Sequence, residues 1–565
     1  DDQGWRLEIK QYPLLTQVGS MRSETMIDKN FDPYKGDATP YGGYYTQEQV
    51  KDIVAYAAKL HINVVPEIEM PGHSMAALAA YPQLACSGDS FKVATTWGVF
   101  YDVYCPTDST ISFMKNVLTE VMQLFPSTYI HVGGDEVPKD AWHNSSTAQK
   151  IMKVHGMKTE EQLQSYFMSQ IDAFLSAHGR KMIGWDEILE GGLSANATVM
   201  SWRGEEGGIA ASKLNHDCVM TPGDYCYFDH CQGNEQLEPL CIGGFLPLDK
   251  VYSYDVVPTS LNSSEAKHIL GVQANMWTEY ISTEEKVWYM LLPRLFALSE
   301  IAWTNPEQKN WNNFVQHLAP QFALLDMKKL NYRVPEPTGA SSLITYQNSI
   351  SITLSILVYG AKIFYTTDGS LPTASSKLYS SPFKIDFSSS PTVNVRAICF
   401  TANGKQSIPC SAVYSHNTFT PLQLDVATNG LNAYIIPGKQ IDAASLDSNV
   451  THLNCFTPEI GLCDNVPDEN FGYIQSGYLK IPADGTYTFS LSSDDGSVMY
   501  IDGQLLIEND GYHETQTANG SIELKAGYHP ITLKYVQGSG DKILQLKYKT
   551  ATTSFQDVPQ SWLFR

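Results

Sequence analysis

The sequence predicts an α/β protein: a (β/α)8 barrel of the TIM type followed by two all-β domains. Three observations predict it. Residues 1–334 alternate short apolar runs with amphipathic helical stretches. Near 335 this alternation gives way to a stretch rich in Ser, Thr, Val and Tyr, and from about 419 a second β-rich region begins. Alternating β and α segments over so long a span build parallel barrels or doubly wound sheets, whereas period-two segments between turns build antiparallel ones.

In the first region the expected strands are "INVVPE" (62–67), "YIHV" (129–132), "KMIGW" (181–185), "VMSW" (199–202), "CVMT" (218–221) and "ILGVQ" (269–273). Helices are expected between them. "TQEQVKDIVAYAAKL" (46–60) opens with a capping box, Thr46 to Gln49, and repeats apolar residues at helical spacing. The stretches 111–125 and 159–179 behave alike. A closed barrel needs eight strand–helix units. Only these six strands are legible, so the other two are expected upstream of Asp1, which is not a natural start. "YRVPEP" reads as a linker into a small antiparallel β-domain, 335–418, with turns such as "TTDGSLP". In 419–565, "GTYTFSLSSDDGSVMYIDGQLLI" alternates apolar and polar residues between Gly and Asp turns, which predicts a β-sandwich.

Composition narrows the function. The chain has 565 residues and a formal net charge of −22. That charge argues against nucleic acid and anionic membrane surfaces as partners. No apolar run is long enough to span a membrane. Ten cysteines are present, several of them close together: Cys399 with Cys410, Cys455 with Cys463, and Cys218, Cys226, Cys231 and Cys241 in one stretch. They read either as short-loop disulfides of an oxidising compartment or as scattered thiols. No C-x-x-C pair and no His-rich cluster suggests a metal, and no Gly-rich phosphate loop is present, so neither metal nor cofactor is expected.

In a barrel, chemistry lies where strands end. Acids and aromatics recur there: His73, Asp135 and Glu136, Trp185, Trp202, Tyr227 and Asp229, Trp277 and Glu279. Aromatic faces with a few carboxylates suit a sugar, whose C–H faces stack and whose hydroxyls donate. Other readings stand beside this one. His73 in "PGHS" is either a loop histidine or a catalytic group, and the acids of "WDE", Asp186 and Glu187, are read as the start of a helix. In "HVGGDEV" two acids adjoin. An ordinary retaining glycosidase needs two carboxylates across the bond, about 5–5.5 Å apart. Neighbouring side chains on a strand point to opposite faces. The pair can therefore converge only if the strand ends first, and Gly133 and Gly134 permit that turn.

"HVGGDE" resembles the signature of family 20 glycoside hydrolases, the β-N-acetylhexosaminidases. "DDQGWRLEIKQYPLLTQVGS", "PEIEMPGHSMAAL", "GWDEI", "SWRG", "YFD" and "QANMWTEY" resemble further blocks of that family, in its order. The resemblance covers 1–330. Residues 335–418 resemble the small β-domain that often follows this barrel in bacterial enzymes. Residues 419–565 resemble the carbohydrate-associated module first known from anthrax protective antigen. The resemblance implies exo-acting, retaining hydrolysis of terminal β-linked GlcNAc or GalNAc, in which the substrate's own 2-acetamido oxygen attacks C1. It implies Glu136 as general acid and then base, its pKa raised by the neighbouring acid. Asp135 stays ionised and orients the acetamido N–H, and Tyr227 bonds the acetamido oxygen. Trp185, Trp202 and Trp277 wall the pocket, and Asp229 and Glu279 hold hydroxyls. Of Asp1 and Asp2, Asp1 is the expected partner of His73 in a relay supporting the acid. The family's sugar-binding arginine on the first barrel strand has no counterpart in this sequence and is expected upstream. The alternatives are a disaccharide-releasing relative and a non-catalytic glycan-binding protein on the same fold. Asp494 and Asp495 in "SSDDGS" are read as a hairpin turn, or else as the acidic pair that binds calcium and sugar in some related modules. The expected location is secreted, periplasmic or at the surface of a bacterial cell.

Overall fold

The computed structural model describes residues 1–424, 428–450, 452–513 and 515–565. They form two units, Asp1–Arg333 and Val334–Arg565.

The first unit is built on five parallel strands in chain order: β1 (Tyr129–His131), β2 (Lys181–Trp185), β3 (Thr198–Ser201), β4 (Cys218–Met220) and β5 (Ile269–Val272). The register runs Ile130↔Met182, Ile183↔Thr198, Met200↔Val219 and Met220↔Val272. β3 is buried at every position, as a strand covered on both faces must be. A sixth position is taken by the chain at 66–70: His131 N donates to Pro66 O at 2.9 Å, and Ile68 N to His131 O at 3.0 Å. The expected strand 62–67 is thus shortened to one bridge, Glu67↔His131. Pro66 has no N–H to donate, and Ile62 and Val65 are exposed instead of laddered. Among the described residues the sheet does not close: the 66–70 stretch and β5 stand at its two edges. The class is the expected TIM-type barrel.

The helices follow the apolar spacing. The first long one, Gln47–Lys59, has the predicted capping box: Thr46 Oγ1 accepts from Gln49 N at 3.2 Å and Gln49 Oε1 from Thr46 N at 2.9 Å. Asp108–Leu124 buries Ile111, Met114, Val117, Leu118 and Val121, and Glu160–Ala177 buries Leu163, Phe167, Ile171 and Leu175. These are single stripes at i, i+3, i+4 and i+7, which fix each helix against the sheet. Among the described residues, no helix is long and apolar enough to cross a membrane.

The second unit is all β. A nine-stranded and a seven-stranded sheet enclose a core that includes Phe471, Tyr473, Phe489, Leu491, Met499, Ile531 and Tyr535. In the predicted alternating stretch, Tyr487, Phe489 and Leu491 point inward. Leu343–Thr345, from the region expected to be a separate small domain, runs parallel between Cys410–His416 and Gln516–Leu524. One sheet therefore crosses the expected 418/419 boundary.

Disulfides join Cys86 to Cys105, Cys231 to Cys241 and Cys455 to Cys463. Cys410, close to Cys399 in sequence, takes the other of the two readings left open and carries a thiol that burial pushes up to about 11. Asp495 spends one carboxylate oxygen on His513 N at 2.9 Å and the other on Gly538 N at 2.8 Å. These bonds tie the 494–496 turn to His513 and Gly538.

Candidate active site

The acid pair follows the end of β1. Gly133 and Gly134 adopt φ of +68° and +96°, and Glu136 itself takes +45°. A Cβ on Gly133 would run into the Glu69 carboxylate, and one on Gly134 would lie 2.6 Å from Ile188 Cγ2. Only glycine tolerates both the dihedral and the approach. The turn lets Asp135 and Glu136 leave the strand on one side: Asp135 Oδ2 lies 3.5 Å and Glu136 Oε2 3.3 Å from His73 Nε2. Like Glu136, His73 sits at φ +45°, so left-handed backbone gathers where the acids converge.

His73 Nδ1 lies 2.7 Å from Asp2 Oδ2, and Asp2 Oδ1 accepts from Met75 N at 2.9 Å. Asp2 is fully buried. Asp1, the expected relay member, is 4.0 Å from the ring and 58% exposed. This corrects the assignment: the residue on His73 is Asp2, because the second residue points inward under the "MPGHS" turn while the first spends its carboxylate on Asp2 N at 2.7 Å. Burial opposes a charge on His73. Bonds to Asp2 and Glu136 and the charge of Asp135 outweigh it and hold the imidazolium up to about 10. Asp135, 15% exposed, has a solvent-shielded Oδ1 with no partner. Burial pushes it to about 6 against the pull of His73, and the charges of Glu67 and Glu187 push the same way. Glu136 is more open, 38% exposed.

The four predicted aromatics come together. Trp202 stacks on Tyr227 with centroids 6.2 Å apart, Trp277 lies 6.5 Å from Tyr227, and Trp185 lies 5.8 Å from Trp277. Burial raises the Tyr227 phenol, so it stays a donor. Asp229 is buried with neither oxygen partnered. Burial and the charge of Glu279 push it to about 7, and burial also raises Glu279. Unpartnered buried acceptors of this kind are costly unless a ligand supplies donors.

Several contributors lay outside the sequence reading. Arg294, fully buried, donates to the carbonyls of Phe228 at 2.5 Å and His230 at 3.0 Å, the residues flanking Asp229. Asp186 and Glu187 do open a short helix, but they serve more as partners of Arg203 (3.1 Å from Asp186), and Glu187 accepts from Trp202 Nε1 at 2.9 Å. Glu67 accepts from Trp185 Nε1 at 3.0 Å. Glu69 Oε2 is shielded and unpartnered, and burial and the charge of Asp135 raise this carboxyl well above its usual range. The signal for the last two was the alternation of acids in "PEIE" at a strand end.

An acid pair tied to a charged histidine, beside a box of three tryptophans and a tyrosine, defines the class: a carbohydrate-cleaving α/β barrel. The catalytic domain of glycosyl hydrolase family 20 matches residues 1–306, the chitobiase/beta-hexosaminidase C-terminal domain matches 342–438, and the PA14 domain matches 463–561. The chain belongs to glycosyl hydrolase family 20, and it is a glycoside hydrolase. A beta-hexosaminidase of Porphyromonas gingivalis is 41% identical over 557 residues, 95% of this chain and 68% of that protein. A beta-hexosaminidase of Vibrio furnissii is 35% identical over 53% of this chain, which spans 49% of that relative. Among solved structures, a beta-N-acetylhexosaminidase superposes with a TM-score of 0.53 at 30% identity, covering 59% of this chain and 69% of the other. A family 20 exo beta-N-acetylglucosaminidase from Vibrio harveyi in complex with N-acetylglucosamine superposes with a TM-score of 0.51 at 32% identity, covering 59% and 53%.

Proposed function

We propose that the chain is an exo-acting, retaining β-N-acetylhexosaminidase that removes terminal non-reducing β-linked GlcNAc or GalNAc with help from the substrate's acetamido group. The observation that carries this is the convergence of Asp135 and Glu136 on one imidazole nitrogen, at 3.5 and 3.3 Å. Both acids then serve one side of the pocket, and the nucleophile opposite the leaving group has to come from elsewhere. An acetamido oxygen is within reach of C1 in the sugar itself. Glu136, the more open acid, protonates the glycosidic oxygen and later activates water. Asp135, ionised above about pH 6, accepts from the acetamido N–H and stabilises the charge that develops there. Tyr227 donates to the acetamido oxygen. The tryptophans stack on the ring and N-acyl group, and Asp229 and Glu279 accept from hydroxyls. His73 holds Glu136 in line, backed by Asp2. The disulfides favour an oxidising setting, outside the cytoplasm of a bacterial cell.

The test is release of chromophore from aryl N-acetyl-glucosaminide and -galactosaminide, with a thiazoline mimic of the cyclised intermediate as inhibitor. Turnover with thiazoline inhibition far tighter than product inhibition is expected. Turnover that the thiazoline does not touch rules out acetamido assistance.

A further inference from the structure

We propose that Glu67 and Glu187 are positioning residues that fix the rings of Trp185 and Trp202 and so set how large an N-acyl group the pocket admits, an inference that rests on reading the pocket as an N-acetylhexosamine site. Trp185 Nε1 donates to Glu67 Oε1 at 3.0 Å and Trp202 Nε1 to Glu187 Oε2 at 2.9 Å. An indole has one N–H, so a single bond decides which way the ring faces. A carboxylate acceptor makes that bond charge-assisted.

Each bond crosses the sheet. Glu67 lies on the 66–70 stretch, on the far side of β1 from Trp185 at the end of β2. Glu187 lies in the turn after β2, whereas Trp202 follows β3. The rings are therefore tied to a neighbouring strand end and not only to their own. Each anchor has a second support: His131 Nδ1 lies 2.9 Å from Glu67 Oε1, and Arg203 Nε lies 3.7 Å from Glu187 Oε1. Trp277 packs on Trp185, and Tyr227 on Trp202, so their positions follow from the two anchored rings. An acyl chain longer by one methylene must push a ring against its anchor.

The test uses the whole chain. Glu67→Leu and Glu187→Leu remove the acceptor, and Glu67→Gln and Glu187→Gln keep an acceptor oxygen. Aryl glycosides carrying N-acetyl and N-propanoyl groups are compared. Each Leu variant is expected to lose about tenfold of the acetyl-over-propanoyl preference in kcat/KM, chiefly through a higher KM for the N-acetyl substrate. The Gln variants should restore the preference to within about threefold of wild type. A general loss of stability would lower both substrates together. Leu variants with unchanged preference overturn the proposal, as do Gln variants no more selective than Leu. On the same proteins, the Trp185 and Trp202 indole protons should exchange slowly with solvent in wild type and rapidly in the matching Leu variant. Wild-type turnover with both indoles exchanging fast overturns the anchors and leaves the functional reading standing. A wild type inert to both glycosides overturns that reading and the acyl-size role with it, and slow exchange then upholds the anchors alone.

Discussion

Asp135 holds a carboxylate oxygen with no partner, and burial has moved its pKa from 3.8 to about 6. A carboxyl raised in the folded state stabilises the protein below its unfolded pKa, and that contribution is lost as pH rises through about 6. At pH 7.5 the ionised group thus costs stability, a cost the proposed mechanism requires because it uses that charge. Asp135→Asn should gain roughly 1–3 kcal/mol in thermal unfolding at pH 7.5, with a smaller gain at pH 5. The same change should cut kcat by about 10²–10³. For the wild type, kcat/KM should fall as pH drops through about 6, and a flat profile there would exclude Asp135 as the working anion. The relay separates neighbours in the same way. Asp2→Asn should lower kcat about tenfold or more by weakening the support of His73, while Asp1→Asn, at an exposed carboxylate, should stay close to wild type. Equal losses from both would show that the 2.7 Å contact to Asp2 is not the functional one.

At the scale of elements, the most telling pair lies outside the barrel. His529 is fully buried, with Nδ1 2.6 Å from Asp502 Oδ2 and Nε2 2.9 Å from Lys525 O. Both partners only accept, so the ring must carry both protons. Burial works against that charge, but the bonds to Asp502 and Lys525 outweigh it, and the pKa is raised above 6.5. The resulting stability is complete below the unfolded pKa and drains away as pH rises through the higher folded value. The melting temperature of the intact chain should therefore fall as pH rises above neutral, and His529→Gln should flatten that slope; an unchanged slope would assign it elsewhere. No periodicity announces this pair, because strand alternation reports only that position 529 faces inward. The barrel strands were legible for the converse reason: continuous apolar runs of four or five residues have few other fates. The glycine turn before Asp135 was legible too, since two glycines ahead of two acids leave little else to explain. Glu67, Glu187 and Arg294 were not, nor was the choice of Asp2 over Asp1, because their partners lie 15 to 118 residues away in the chain, and spacing carries no record of such reach. For Cys399 and Cys410 the sequence left pairing open, and nearness alone could not decide it. The ladder decides it by setting Cys410 opposite Ala397.

At the scale of the molecule, sequence divides the C-terminal half at 418/419, but the chitobiase/beta-hexosaminidase C-terminal match, 342–438, runs past that division, and the PA14 match begins only at 463. The backbone does not honour it. Leu343 and Ile344 pair with Ser521 and Ile522, Ile344 packs on the sandwich core, and the buried Thr345 hydroxyl bonds Glu523. Composition shifts mark where strand chemistry changes, whereas folding units follow where ladders close. A fragment beginning at 334 keeps this strand, and one beginning at 419 leaves the edge of Gln516–Leu524 unpaired at that point and uncovers Ile522. The loss, one part-buried Ile and a few hydrogen bonds, is about 2–3 kcal/mol. The 334–565 fragment should then melt in one cooperative transition. The 419–565 fragment should melt about 5–10 °C lower and show a greater tendency to associate through the bared edge. Equal melting temperatures for the two would mean that Leu343–Thr345 merely rests on a sandwich complete without it, and that 418/419 is a true boundary of stability.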